Sequence, residues 1–312
     1  MRSATETIVV PKRKVERRAV PPRSKLRQYL PFYLSIAPYY VVFLAFGIIP
    51  IVFSIYLAFQ RWDGIGRMQF VGLSNFVLAL TDPVFGKAVL NTFLIWIMST
   101  IPMLFLALIL AFFLDQRQRS KFAYQVCYFL PNITSVVAIT LIFNSLFGPQ
   151  YGLINLTLTA LHLPAVQWLT GSWAMKWAIS IMVIWRWTGY NALVYMAGLQ
   201  SIPVEVYEAG RIDGASTIDI FFRITLPLLR PVILFTVISS TIGGLSLFTE
   251  PQVLLGNNGG VGNEGLTMSL YQYWQAFASY HFGYGAAVSW IIFFIILAFT
   301  LLNWKIIQRG QN

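Results

Sequence analysis

Cysteine is almost missing from this chain. Cys127 stands alone, so an internal disulfide and a cysteine metal cluster are both excluded. Histidine is nearly as rare: His162 and His281 fall in connecting segments with no ligand-spaced partner, and no metal site is expected. Acidic residues number 11 in 312, and none lies well inside an apolar run. Ion-coupled transport, which needs acids within its spans, and membrane-embedded catalysis, which needs clustered His, Asp or Glu, therefore both lack their chemistry. Charged residues make up 11% of the chain, far below the roughly 25% of a soluble domain. No repeat with a period of about 20–50 residues is visible. A phosphate-binding loop is missing too, since Gly86-Lys87 is followed by Ala88 and has Thr81 where the upstream glycine belongs.

What the chain has is apolar length. Hydrophobic residues make up 57% of it, and the mean hydropathy is +0.67. Six blocks reach the roughly 20 residues that cross a bilayer: 33–59, 88–114, 124–147, 173–199, 231–254 and 284–306. The expected fold is an all-α integral membrane domain of six helices over residues 31–312, preceded by a disordered basic tail over 1–30. The first apolar run is too long for the core of a cleavable signal, and no small-residue cleavage pattern follows it. Pro38, Pro50, Pro102 and Pro131 fall within spans and are expected to kink them.

The net charge of +11 is a statement about orientation. With both termini in the cytoplasm, that side receives 17 of the 22 Lys and Arg residues and the opposite side receives 4, with Arg186 left inside a span. This is the positive-inside bias, and nucleic-acid binding is the weaker explanation.

Between the fourth and fifth blocks lies a polar connection, residues 201–230. Pro203 and Glu205 suit the first turn of a helix, and Gly214 can close it in the left-handed conformation. Ser216 and Asp219 have the spacing of a capping box for a second short helix, expected to stop before Leu226-Pro227. The small residues Ala209, Gly210, Gly214 and Ala215 allow close approach of another protein, while Glu208, Arg211 and Asp213 can set its register. The alternative is an ordinary connecting loop with interfacial helices.

The run Glu208-Ala209-Gly210-Arg211-Ile212-Asp213-Gly214-Ala215, followed by Ile224-Thr225-Leu226-Pro227, resembles the EAA loop of ABC importer permeases of the carbohydrate-uptake, maltose-type, binding-protein-dependent family. The stretches 197–203 and 282–287 are similar to that family as well, so the likeness covers about residues 30–308. Two departures stand out: Gly210 where a second alanine is usual, and Leu255-Gly256-Asn257-Asn258-Gly259-Gly260 in place of a Gly-Gly-Pro end. The resemblance implies a type I importer fold and a loop helix seated in a cleft on an ATPase, with Glu208 pairing with a basic group there. It further implies a heterodimer with a second permease, two ATPase subunits that bind ATP and Mg, and an extracytoplasmic solute-binding protein. The setting would be a bacterial cell membrane.

A substrate path is expected around Arg186, at the midpoint of the fourth block. A central arginine normally faces protein or a water-filled cavity. Trp187, Tyr190 and Asn191 share one helical face at i, i+3, i+4 spacing, and two rings beside an amide suit the C–H faces and hydroxyls of a sugar. Helix packing is the competing explanation for these aromatics. On the fifth span Ser239, Ser240, Gly243 and Gly244 either pack helices closely or line a pore. By the resemblance, the family's sugar site matches Trp187 and Tyr190 and falls nearest Ser239 or Ser240 and Ser246. Glu250 is expected to be solvated, with contact to a binding protein the alternative. The expected function is the permease of an ATP-driven sugar or oligosaccharide importer; a permease for an amino acid or phosphate ester and an ion-coupled transporter are the alternatives.

Overall fold

The computed structural model describes residues 25–115, 121–149 and 151–309. Most of the expected basic tail and of the 115–123 loop lies outside the described residues. The chain forms two compact units, one ending at Phe53 and the other beginning at Ser54.

In the first unit α1 spans Lys25–Phe43, a π turn covers Leu44–Ile48, and α2 (Ile49–Ala58) begins. The helix thus starts inside the stretch expected to be tail, because no helix breaker occurs between Pro22 and Pro31. Phe32, Tyr39 and Phe46 on this segment are exposed, as befits a surface solvated by lipid.

The second unit carries the last residues of α2, a small antiparallel ribbon pairing β1 (Gln60–Arg61) with β2 (Gln69–Phe70), then α3 (Ser74–Thr81) and α4 (Pro83–Asp115). There follow α5 (Lys121–Ile133), α6 (Val136–Phe147), α7 (Leu153–Ala160), α8 (Ser172–Gln200), α9 (Val204–Ile212), α10 (Thr217–Asp219) and α11 (Leu226–Leu228). The chain closes with α12 (Arg230–Leu245), α13 (Thr249–Leu255), α14 (Met268–Tyr273) and α15 (Phe282–Arg309). Helix dominates because apolar spans must satisfy every backbone group internally.

Among the described residues four helical segments are long and apolar enough to cross a bilayer: Tyr29–Ala58, Pro83–Leu114, Arg230–Leu255 and Phe282–Ile306. Two expected spans depart from simple rods. The block 124–147 is two helices bent by 92°, broken at Ser135, whose ψ of 130° is extended. Pro131, one turn earlier, deprives that end of an internal hydrogen bond. The block 173–199 corresponds to α8, whose 29 residues make about 43 Å. It has the length but not the apolarity, since Lys176, Arg186 and Asn191 interrupt it. That composition suits a helix enclosed by protein: Met175, Ala178, Ile179, Met182, Ala192, Tyr195 and Met196 along it are all buried.

The core is built on α4 against α8, where Ala107, Ala111 and Ala192 let the backbones approach. Gly189 brings α8 against α5 so closely that an added Cβ would lie 1.7 Å from the Tyr128 carbonyl oxygen. At the end of α8 remote from α9, Glu264 is clamped by three groups. Lys87 Nζ donates to Oε1 at 2.7 Å, while Lys176 Nζ at 2.6 Å and Ser172 Oγ at 2.7 Å donate to Oε2. These bonds hold the Gly256–Thr267 loop to the first turns of α4 and α8, and burial of Lys176 at 4% exposed side chain makes the carboxylate its obligatory counterion.

Candidate functional site

The 201–230 connection folds into a helical knob by local chemistry. Pro203 is the residue before α9 rather than within its first turn, with ψ 138°, and Glu205 follows in that turn. At the other end Gly214 adopts φ +80°. Gly214 N–H donates to Arg211 O at 3.1 Å and Ala215 N–H to Gly210 O at 2.9 Å, the paired bonds of a Schellman closure. Ser216 and Asp219 then form a reciprocal capping box. The hydroxyl and backbone N–H of Ser216 hold the Asp219 carboxyl below its usual range.

The second helix does not stop before Leu226-Pro227. It widens into a π turn over Ile220–Thr225 and continues through Pro227 as α11. Leu226 N–H reaches back five residues to Phe221 O, and this wider turn absorbs the bond and the space that proline denies. The same arrangement occurs at the π turn Leu44–Ile48, with Pro50 again the second residue after it.

Gly210 is buried where the two arms of the knob meet, and an added Cβ would press on the Ile224 Cδ1 tip at 2.8 Å and touch Ile220 Cγ1 at 3.8 Å. Glu208, Ala209, Arg211 and Asp213 are exposed, and Glu208 has no ion-pair partner among the described residues. Three apolar side chains that the sequence reading passed over, Ile212, Ile218 and Phe222, are also exposed on the knob, Ile212 at 85%. The polar run around them masks these residues in the sequence, although apolar side chains at exposed positions of a polar loop are themselves a contact signal. The helices flanking the knob are tied together: Tyr195 Oη bonds Thr236 Oγ1 at 2.8 Å, and Gly198 lies against Leu229 and Val232.

Further along the same two helices, α8 and α12 enclose a cavity of about 380 Å³ with α4 and the start of α13. Every residue expected on the substrate path lines it: Arg186, Trp187, Tyr190 and Asn191 from α8, Ser239 and Ser240 from α12, and Ser246 at the break that follows. Trp187 and Tyr190 meet edge to face, with centroids 5.8 Å apart. Asn191 Nδ2 is engaged by the Trp187 carbonyl at 3.0 Å. Gly244 serves both proposed roles, facing the cavity and packing against Trp96, whose Cδ1 would lie 2.5 Å from an added Cβ.

The fifth span is broken at Ser246–Phe248, and this overturns the expectation for Glu250. It is buried, 5% exposed, rather than solvated. Its Oε1 accepts from Arg186 Nη1 at 2.7 Å, because the break turns α13 toward α8. The Arg186 guanidinium also lies 5.2 Å from the centre of the Trp187 ring. A central arginine, costly in lipid, thus has both a counterion and an aromatic face.

Residues 88–306 match the family described as the binding-protein-dependent transport system inner membrane component. The arabinooligosaccharides transport system permease protein AraP of Bacillus subtilis is 37% identical over 276 residues, covering 88% of this chain and 87% of that protein. The lactose transport system permease protein LacF of Rhizobium radiobacter is 37% identical over 287 residues, covering 90% and 96%. Among solved structures, a chain of a bacterial alginate ABC transporter crystallised with an alginate-bound periplasmic protein superposes with TM-score 0.79 at 22% identity, over 89% of this chain and 94% of that one. With such coverage, and with a mainly helical fold, the chain belongs to the binding-protein-dependent inner membrane component family, the multi-pass permease subunits of ABC importers, whose ATPase is a separate subunit.

Proposed function

We propose that this permease carries a sugar or oligosaccharide by alternating access, with the cavity between α8 and α12 as its membrane subsite and the α9–α11 knob as its ATPase coupling element. The observation that carries this reading is that the seven residues expected on a substrate path surround one cavity, on the two helices that run directly into and out of the knob and at the break after the second. Rings, hydroxyls and an amide suit a polyol. A phosphorylated or zwitterionic solute would call for free charges, whereas Arg186 and Glu250, the charged residues lining the cavity, neutralise each other.

The relatives named for arabinooligosaccharide and lactose transport make these saccharides the first cargoes to test. The knob faces the cytoplasm in this reading, as do both termini, supported by the 17-to-4 distribution of Lys and Arg. Its partners are a second permease, two ATPase subunits holding ATP and Mg, and an extracytoplasmic binding protein. Glu208, exposed on α9 and without an ion-pair partner among the described residues, meets a basic group of the ATPase, and Ile212 and Ile218 add apolar contact beside it. ATP-driven closure of the ATPases shifts the permease only by its differential affinity for the inward-facing and outward-facing states.

The test is uptake of labelled arabinotriose and lactose into proteoliposomes holding the complete transporter and its loaded binding protein, with and without Glu208→Lys. Charge reversal is expected to abolish ATPase co-purification or uptake while the permease still inserts and purifies. Normal uptake by that variant would remove the coupling role from Glu208, and wild-type uptake of neither saccharide would remove these two cargoes.

A further inference from the structure

We infer that the buried Arg186–Glu250 pair sets the charge class of the cargo, making the cavity selective for uncharged saccharides over acidic ones. The inference rests on the sugar reading of this cavity and adds to it the chemical class admitted.

Arg186 and Glu250 are the charged residues lining the cavity, so its wall is formally neutral yet strongly dipolar. Their side chains are 14% and 6% exposed, and they join at 2.7 Å across 64 residues of sequence. Neither is spent completely. A guanidinium carries five N–H donors; one on Nη1 reaches Glu250 and Nε is buried out of reach, so the remaining Nη hydrogens are those left for a cargo. Glu250 Oε2 has no hydrogen-bond partner among the described residues. The pair therefore offers a donor and an acceptor side by side at the cavity wall.

A sugar hydroxyl is both donor and acceptor, so neighbouring hydroxyls can accept from Arg186 and donate to Glu250 without parting them. An ionised carboxylate on the cargo has no proton to donate and meets Glu250 as a like charge in a site with little water, where such repulsion is least screened. To satisfy it, Arg186 would have to leave Glu250 buried and unpaired, which the fold opposes. A cationic cargo meets the mirror-image difficulty at Arg186. Stacking of the guanidinium on Trp187, 5.2 Å from the ring centre, fixes its plane and limits its freedom to swing toward an anion. Trp187 and Tyr190, which meet edge to face, line the same cavity and supply aromatic surface for sugar C–H faces. An ion pair used only to brace α13 against α8 would make no such distinction between cargoes.

The complete transporter, purified in detergent without its binding protein, is titrated with arabinotriose and with digalacturonate while its tryptophan fluorescence is followed. Omitting the binding protein removes that protein's own selection. Wild type is expected to bind the neutral sugar at least tenfold more tightly than the acidic one. Glu250→Gln keeps the shape but leaves Arg186 unpaired, and is expected to shift that ratio at least tenfold toward the acid. The double variant Arg186→Gln, Glu250→Gln is expected to bring the ratio back toward wild type. Equal binding of the two sugars by wild type overturns the inference even if neither variant folds. So does a ratio that Glu250→Gln leaves unchanged, which is the result a bracing role gives. Binding of neither sugar by wild type overturns the sugar reading of the cavity itself, and this inference with it.

Discussion

Replacing Glu264 by glutamine should loosen the loop that its carboxylate holds, and the loss should depend on pH in a defined window. The carboxylate accepts from Lys176, Lys87 and Ser172. Its pKa is lowered from 4.5 to about 2 by the hydrogen bond from Lys176 first, then by that from Lys87. A shift of that size corresponds to a ceiling of about 3 kcal/mol of stability at neutral pH, at about 1.4 kcal/mol per unit. Solvent reaches the site, and screening brings a realistic figure to about 1–2 kcal/mol. Because the folded pKa is depressed, the contribution is fully present above 4.5 and is lost as pH falls through about 2.

Glu264→Gln keeps the side chain's volume but leaves Lys176, 4% exposed, without its counterion. The Tm of the intact transporter in detergent, read by tryptophan fluorescence, should fall by about 3–6 °C at pH 7. The gap between wild type and variant should narrow as the pH is lowered from 5 toward 3. Amide exchange at Gly262–Leu266 should rise in the variant, since the Gly262 carbonyl accepts from Lys87 and the Asn263 and Leu266 carbonyls from Asn91. Equal melting at pH 7, or a gap that persists unchanged to pH 3, would refute the account of this cluster.

Gly214→Val forces a β-branched residue to φ +80° at about 1–2 kcal/mol, and should sharply reduce ATPase co-purification. Gly210→Ala should co-purify as wild type does, since the close contact of the added methyl is with the far tip of the Ile224 side chain, which can turn aside. Gly189→Ala places a carbon 1.7 Å from the Tyr128 carbonyl oxygen, which belongs to backbone and cannot step aside; size-exclusion chromatography should show aggregation or loss of yield. Trp187→Ala should cut saccharide uptake at least tenfold while leaving ATPase co-purification intact, because the ring lines the cavity and is remote from the knob.

The knob was legible because its determinants are local. A glycine that can take positive φ, a serine three residues before an aspartate and a proline ahead of an amphipathic turn each act within one or two turns of helix. The misjudgement at Pro227 has a local cause too: a proline forbids the ordinary α ladder, but not a π turn placed before it. The α8 face was legible from the helical period, and the serines of α12 came from family resemblance. The break at Ser135 was legible only as a kink at Pro131, and the one at Ser246–Phe248 was not legible, since no proline lies in the turns just before it.

The ion pairs were the hardest features to see, because Arg186 and Glu250 lie 64 residues apart and Lys87 and Glu264 lie 177 apart. Yet a constraint was present in the composition. Lys176 and Arg186 both sit in the apolar stretch that becomes α8, and a cation enclosed by protein requires an acid. Of the 11 acidic residues, Glu6 and Glu16 belong to the tail, and Glu205, Glu208, Asp213 and Asp219 to the polar knob. That leaves Asp63, Asp82, Asp115, Glu250 and Glu264 to serve two buried cations. Asp115 ends α4, Asp63 lies in the turn between β1 and β2, and Asp82 follows α3. Glu250 precedes the loop that packs on the start of α8 and Glu264 lies within it, so scarcity of acid, posed as a matching problem, leaves few candidates and the fold selects these two.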